Sequence, residues 1–168
     1  MSPKSTIESN WYLKVLLFQS HHLLSKLWTR ELRKSKITLE KFAILHEISN
    51  FNGNPTPHAI AKATVYEPAA VSAIIGRLEK DGFITKHKDL KQKNMVRIEI
   101  TQQGRDVFTR ASRDVVQLNQ TLLSVLPNEE KDYIIHSLSI FRDHLLPLAF
   151  DKSKKLTNYK STSKKQVD

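Results

Sequence analysis

The stretch TPHAIAKATVYEPAAVSAIIGRLEKDG, residues 56–82, runs directly into FITKHKDLKQKNMVRIEIT, residues 83–101, and these residues together decide the fold. Thr56-Pro57 opens a short helix. The threonine hydroxyl can cap free N–H groups, and proline at the first helical position gives up an N–H that has no partner there anyway. Ala59, Ile60, Ala61 and Ala63 give this helix a small-residue face that a neighbouring helix can approach closely. Glu67-Pro68 restarts the chain into a second helix reaching residue 81, with Val71, Ile74, Ile75 and Leu78 spaced to face inward. Gly82 closes it as a C-terminal cap. After Gly82 the apolar period changes from 3.6 to 2. Residues 83–88 read as one strand and residues 95–100 as another, with Val96, Ile98 and Ile100 on one face and Met95, Arg97 and Glu99 on the other. Residues 89–94 form a polar, basic turn between them. The prediction is a helix-turn-helix followed at once by a β-hairpin.

The flanks are helical. Residues 7–33 carry Trp11, Leu16, Leu17, Leu23, Leu24, Leu27 and Trp28 at near-helical spacing. These cover more than one side of the helix, so it is expected to pack against more than one neighbour, including a second subunit. Thr38 caps a helix over 39–49 with Phe42, Leu45 and Ile48 inward, and residues 50–55 form a loop. Beyond the hairpin, Thr101 caps a helix over 102–125 that carries Val107, Phe108, Val115, Val116, Leu118, Leu122 and Leu123. A last helix over 129–146 has Glu129 and Glu130 in its first turn, where the dipole favours them, and Pro147 is expected to end it. Residues 151–168 hold six lysines and little that is apolar, and are expected to form a basic, mobile tail.

Composition bounds the function. The chain has 168 residues, 39% apolar and 26% charged, enough for one globular domain with accessory helices. Twenty-seven Lys and Arg against seventeen Asp and Glu leave +10, a balance that suits a polyanionic partner or simply a basic surface. The absence of cysteine excludes disulfides, thiolate metal sites and thiol redox chemistry. No apolar run approaches the ~20 residues of a membrane span, and the 11–18 run lacks a cleavage site, so no membrane partner and a cytoplasmic location are expected. Around the hairpin, Arg77, Lys80, Lys86, Lys88, Lys91, Lys93 and Arg97 face three acids, Glu79, Asp81 and Asp89, a local excess of four cations. Cations there neutralise phosphates and release counterions.

The sequence resembles the MarR family of winged-helix regulators over about residues 10–147. The likeness is carried by LEKFAIL (39–45), IAKA (60–63), VSAIIGRLEKDGFI (71–84) and RIEITQQG (97–104), with the family's spacing from Gly82 to Thr101. The resemblance implies a mainly α fold with a small β-hairpin. A winged helix-turn-helix lobe over 35–101 would sit between N-terminal (1–34) and C-terminal (102–150) dimerisation helices. It also implies a homodimer that binds a pseudo-palindromic operator in double-stranded DNA, and the chain is expected to act there as a repressor, with activation the other possible sign and control by an effector possible. The alternative is an architectural or RNA-binding winged-helix protein without effector control.

By that resemblance the fourth helix enters the major groove with Pro68, Ala69, Ala70, Ser72 and Ala73, and with Arg77 one turn deeper. Ser72 can hydrogen-bond a base edge or phosphate, and the alanines can meet a thymine methyl. For Arg77 a structural salt bridge is the competing reading. Thr56 and His58 are candidate phosphate donors, and Lys86, Lys88, Lys91, Lys93, Asn94 and Arg97 supply the wing. This chain departs from the family at two points: Gln92-Lys93-Asn94 stands where relatives commonly carry Asp, a basic residue and Arg, and Ala73 stands where they often carry Arg. Asn94 is too short to enter the minor groove as that Arg does, and the lysines act as flexible point charges. Binding weighted toward backbone contacts is therefore expected.

Relatives often bind a small anionic or aromatic effector between the dimer region and the lobe. The matching candidates are Trp11, Phe18 and His22 on the first helix and Phe42 and His46 on the second, with ordinary core packing the alternative for the aromatics. His21, His22, His46, His136 and His144 show no spacing tied to carboxylate partners, so no metal or other cofactor is expected. Four glycines leave no phosphate-binding loop, and no catalytic motif is present, so the chain is not read as an enzyme.

Overall fold

The computed structural model describes residues 6–89 and 95–150. Six α-helices and one hairpin occur in the order α1 (Thr6–Leu32), a 3-10 turn (Arg33–Ser35), α2 (Leu39–Asn50), α3 (Pro57–Thr64), α4 (Pro68–Lys80), β1 (Ile84–Lys88), β2 (Val96–Ile100), α5 (Gln102–Leu123) and α6 (Asn128–Phe150). The predicted capping chemistry is present. Thr38 Oγ1 accepts from Lys41 N (3.3 Å), and Thr56 Oγ1 accepts from Ala59 N (3.2 Å). Thr101 does two jobs: its Oγ1 accepts from Gly104 N (3.0 Å) and donates to Gly82 O (2.7 Å), tying the start of α5 to the end of α4.

The described residues divide into two compact units that part between Thr121 and Leu122. The first holds one continuous core. Ile44, Leu45 and Ile48 of α2, Ile60 of α3, Val71, Ile75 and Leu78 of α4, Ile84 of β1 and Ile98 of β2 are buried in it, and Val107, Ala111 and Val115 of α5 join them. Each fully buried Leu or Ile contributes about 1.5–3 kcal/mol, so the core fixes α4 against α2 and α3 far more firmly than any single polar contact does. In the second unit α6 has no buried residue, and Tyr133, Ile135 and Ile140 are exposed along it.

The hairpin is antiparallel, with Ile84 opposite Ile100, Lys86 opposite Ile98 and Lys88 opposite Val96. The apolar face predicted for residues 95–100 turns Ile98 into the core. The loop before α3 also serves the sheet. Pro55 is fully buried and its carbonyl accepts from Ile98 N (2.9 Å), adding one rung on the far side of β2.

The expectation that Pro147 ends the last helix is overturned: α6 runs through it to Phe150. A proline this close to a C-terminus removes only the bond to the carbonyl four residues back, and its fixed φ suits a helix. α5 stops at Leu123 rather than 125, where Leu126 N turns back to Leu123 O (3.2 Å).

Gly76, inside α4, would meet nothing within 4 Å if it carried a Cβ. It holds only the backbone-entropy penalty of a helical glycine, so Gly76→Ala is expected to stabilise the free protein by about 0.5–1 kcal/mol. A thermal melt checks this, and an unchanged or lower midpoint would contradict the reading of open space at that position.

Candidate nucleic-acid interface

α4 is built with two faces. Val71, Ile74, Ile75 and Leu78 are buried, and Pro68, Ala69, Ala70, Ser72, Ala73 and Arg77 are exposed. The outward face is narrow because its side chains are short, which lets the helix backbone come close to whatever it meets. Its N-terminus is open as well. Glu67 makes no side-chain cap and Pro68 has no N–H, so the first-turn amides of Ala69 and Ala70 face outward without a capping acceptor. The turn into α4 is strained: Val65, which closes α3, lies in the left-handed region at φ 58°, a conformation costing a β-branched residue on the order of 1 kcal/mol.

Ion pairing sorts the cations around this face. All three acids counted between Arg77 and Arg97 are engaged: Glu79 with Lys86 (2.6 Å), Asp81 with Lys41 of α2 (2.5 Å), and Asp89 with Arg97 Nε (3.2 Å). Arg97 is half-buried and also donates to Asn54 O (3.3 Å), so it braces the wing against the loop before α3. Arg77, Lys80 and Lys88 make no ion pair among the described residues and retain their full charge for an external anion. The salt-bridge reading of Arg77 is therefore not what the geometry gives. His58 is exposed at the start of α3, and the half-buried Thr56 hydroxyl serves as the helix cap. Lys91, Lys93 and Asn94 lie outside the described residues.

A cavity of about 600 Å³ opens between α2, α5, the end of α3 and Trp28 of α1. Its walls are aromatic. The Phe42 and Phe108 rings are 5.6 Å apart at 31°, and His46 stands edge-on to Phe108 at 6.2 Å. Trp28 Nε1 donates to Asn119 Oδ1 (2.9 Å) at one side. Tyr66, in the turn between α3 and α4, lines it too, and burial, with Glu40 adding to it, raises the Tyr66 phenol above its ordinary pKa. Its neutral form is thus favoured by folding, a contribution lost as pH rises past 10.

A MarR family profile matches residues 35–93. A solved transcriptional regulator, the organohalide-sensing RdhR-CbdbA1625, is 37% identical and superposes with a TM-score of 0.78, covering 95% of this chain and 96% of its own. The chain belongs to the MarR family. It is a DNA-binding transcription regulator of the winged helix-turn-helix type. An HTH-type transcriptional regulator of Bacillus cereus is 27% identical over 136 residues, 80% of this chain and 87% of its own. The S. aureus MepR–DNA complex shares the fold, with a TM-score of 0.70 at 23% identity over 77% of this chain and 94% of that one.

Within this MarR-family fold, the expected effector residues do not all meet. Phe42 and His46 line the cavity. Trp11 and Phe18 are 62% and 72% exposed on α1, with Lys14 lying 4.5 Å over the Trp11 ring. His22 lines a separate shallow hollow on α1 with Lys26, Arg30 and Arg33. Sequence reasoning missed Trp28, Tyr66, Phe108 and Asn119 as cavity walls. Trp28 did carry a signal, since an indole N–H on a packed helix needs an acceptor. Among the described residues no group of three His, Cys, Asp or Glu side chains could hold a metal ion, and no helix is long and apolar enough to cross a membrane.

Proposed function

We propose that this regulator is a homodimeric repressor whose two lobes read a pseudo-palindromic operator, and whose hold on DNA is tuned by a small aromatic effector. The observation that carries the DNA part is the short-side-chain face of α4, bordered by Arg77, Lys80 and Lys88, whose charges no acid among the described residues answers. In this reading Ala69, Ala70, Ser72 and Ala73 enter the major groove, the open amides of the first α4 turn donate to a phosphate, and Lys88 follows the backbone along the wing. A dimer seated on adjacent major grooves would repress by obstructing transcription.

Dimerisation is supported by apolar surface. Trp11, Leu13, Leu16, Phe18 and Leu23 on α1 and Tyr133, Ile135 and Ile140 on α6 remain exposed in the single chain, more than a monomer ordinarily leaves in water. Effector control is supported by the aromatic cavity touching Tyr66, directly before the helix that reads DNA. The relative RdhR-CbdbA1625, solved with 2,4-dichlorophenol bound, is a precedent for an aromatic ligand.

The test is a gel shift on DNA from upstream of the chain's own coding sequence, titrated with salt and competed with unrelated duplex. Affinity is expected to fall steeply with salt, by about 10³-fold or more between 50 and 200 mM, while the upstream fragment stays preferred throughout. Equal binding to any duplex, or to RNA, would support the architectural alternative instead. Light scattering should give twice the 19.4 kDa chain mass.

A further inference from the structure

The cavity beside Tyr66 carries a distinct electrostatic signature. The chain as a whole is strongly basic, at +10, yet among the described residues no lysine or arginine lines this cavity. The one carboxylate among its described lining residues is Glu47, on α2 with Phe42, Ala43 and His46. Besides His46, the remaining polar walls are neutral: Asn50, Thr64, Tyr66, Asn119 and Ser112, whose buried hydroxyl has no hydrogen-bond partner among the described residues. The imidazole of His46 is already engaged. Its Nδ1 lies 3.2 Å from Glu47 Oε1, and its Nε2 lies 3.0 Å from the Asn50 amide. An anion entering this space would shed its water among Trp28, Phe42 and Phe108, find no lysine or arginine, and face a like charge.

We propose that Glu47 sets the charge selectivity of the effector site, so that the cavity takes uncharged or cationic aromatic molecules and rejects aromatic carboxylates. This rests on the reading of the cavity as an effector site and narrows the anionic-or-aromatic expectation to the aromatic class alone. Both parts of the wall act together. The rings supply the apolar contact for a ligand ring and a favourable face for a cation. Glu47 supplies the sign.

Three probes of one shape test it: benzyl alcohol, benzylammonium and benzoate, titrated into the full-length chain and followed by its tryptophan fluorescence, to which Trp28 in the cavity wall responds. Benzyl alcohol and benzylammonium are expected to bind, and benzoate at least tenfold more weakly than benzylammonium. Glu47→Gln should bring the two ions to similar affinity, and Glu47→Lys should reverse their order. Glu47 is partly exposed, so neither variant should disturb the fold, and circular dichroism checks this. Benzoate binding as tightly as benzylammonium to the unaltered chain overturns the selectivity while leaving the effector site standing. Rejection of both ions alike, unchanged in Glu47→Lys, overturns the role of Glu47 and assigns the effect to desolvation. Failure of all three probes to bind removes the effector reading itself, and the selectivity with it.

Discussion

Gly104→Ala is expected to unfold the winged lobe or cost it most of its stability. A Cβ built at Gly104 would lie 2.0 Å from the Phe83 carbonyl oxygen and 2.9 Å from Ile100 Cγ1. Neither neighbour can yield. The Phe83 carbonyl accepts from Thr101 N (3.0 Å), and the Phe83 amide donates to Leu78 O (2.9 Å), so that peptide is locked between the end of α4 and the start of α5. Relieving the overlap means pulling α5 away from the hairpin, which breaks the Thr101–Gly82 bond and opens the core around Ile84 and Ile98. Forced overpacking with backbone displacement costs roughly 3 kcal/mol or more, against a total stability of about 5–15 kcal/mol for an ordinary domain. A loss of more than about 10 °C in melting temperature is the expected result at this domain size. A change of under about 3 °C would show that α5 is free to shift. Gly76→Ala is the internal control, a glycine with open space around it and an effect of opposite sign.

The contrast between these glycines also marks what the sequence could convey. Helix-turn-helix and hairpin were legible because their signals are local: Thr38, Thr56 and Thr101 cap the helices they precede, and Val71, Ile74, Ile75 and Leu78 repeat with the helical period. The hairpin register follows from alternation, which puts Ile98 inward and Glu99 outward. Gly104 was visible as part of a familiar string, but its reason is a close approach to the Phe83 backbone carbonyl that no periodicity encodes. The cavity was half legible for the same reason. Phe42 and His46 share a helix face one turn apart, whereas Trp28 meets Asn119 across 91 positions of sequence, and only the packed fold decides that meeting. Pro147 misled because the rule that prolines end helices weighs an interior position, where both a bond and steric space are lost, and says less about the last turn.

Arg77→Ala is expected to reduce affinity for the operator by roughly 5- to 150-fold, the ~1–3 kcal/mol of a well-placed arginine contact, while the protein stays folded. Counting cations alone gives seven candidates between Arg77 and Arg97, but Lys86 and Arg97 are held by Glu79 and Asp89, and Asp81 is taken by Lys41. Arg77 is left exposed on the same side of α4 as Ser72 and Ala73, one turn beyond them, and the exposed side chains before it, Pro68, Ala69, Ala70, Ser72 and Ala73, carry no charge. Ala73 adds no charge of its own there, so the positive charge of the outward α4 face rests on Arg77 and on Lys80 near its end. Because Arg77 makes no ion pair among the described residues, its removal should change stability by less than about 0.5 kcal/mol, which separates lost recognition from lost folding. The salt dependence then identifies the contact. If Arg77 meets a phosphate, the slope of log affinity against log salt should flatten by about one and all duplexes should weaken alike; if it meets a base edge, the slope should hold and preference for the operator should fall. Full retention of affinity by a folded Arg77→Ala protein would exclude both contacts and shift the electrostatic hold to the wing lysines.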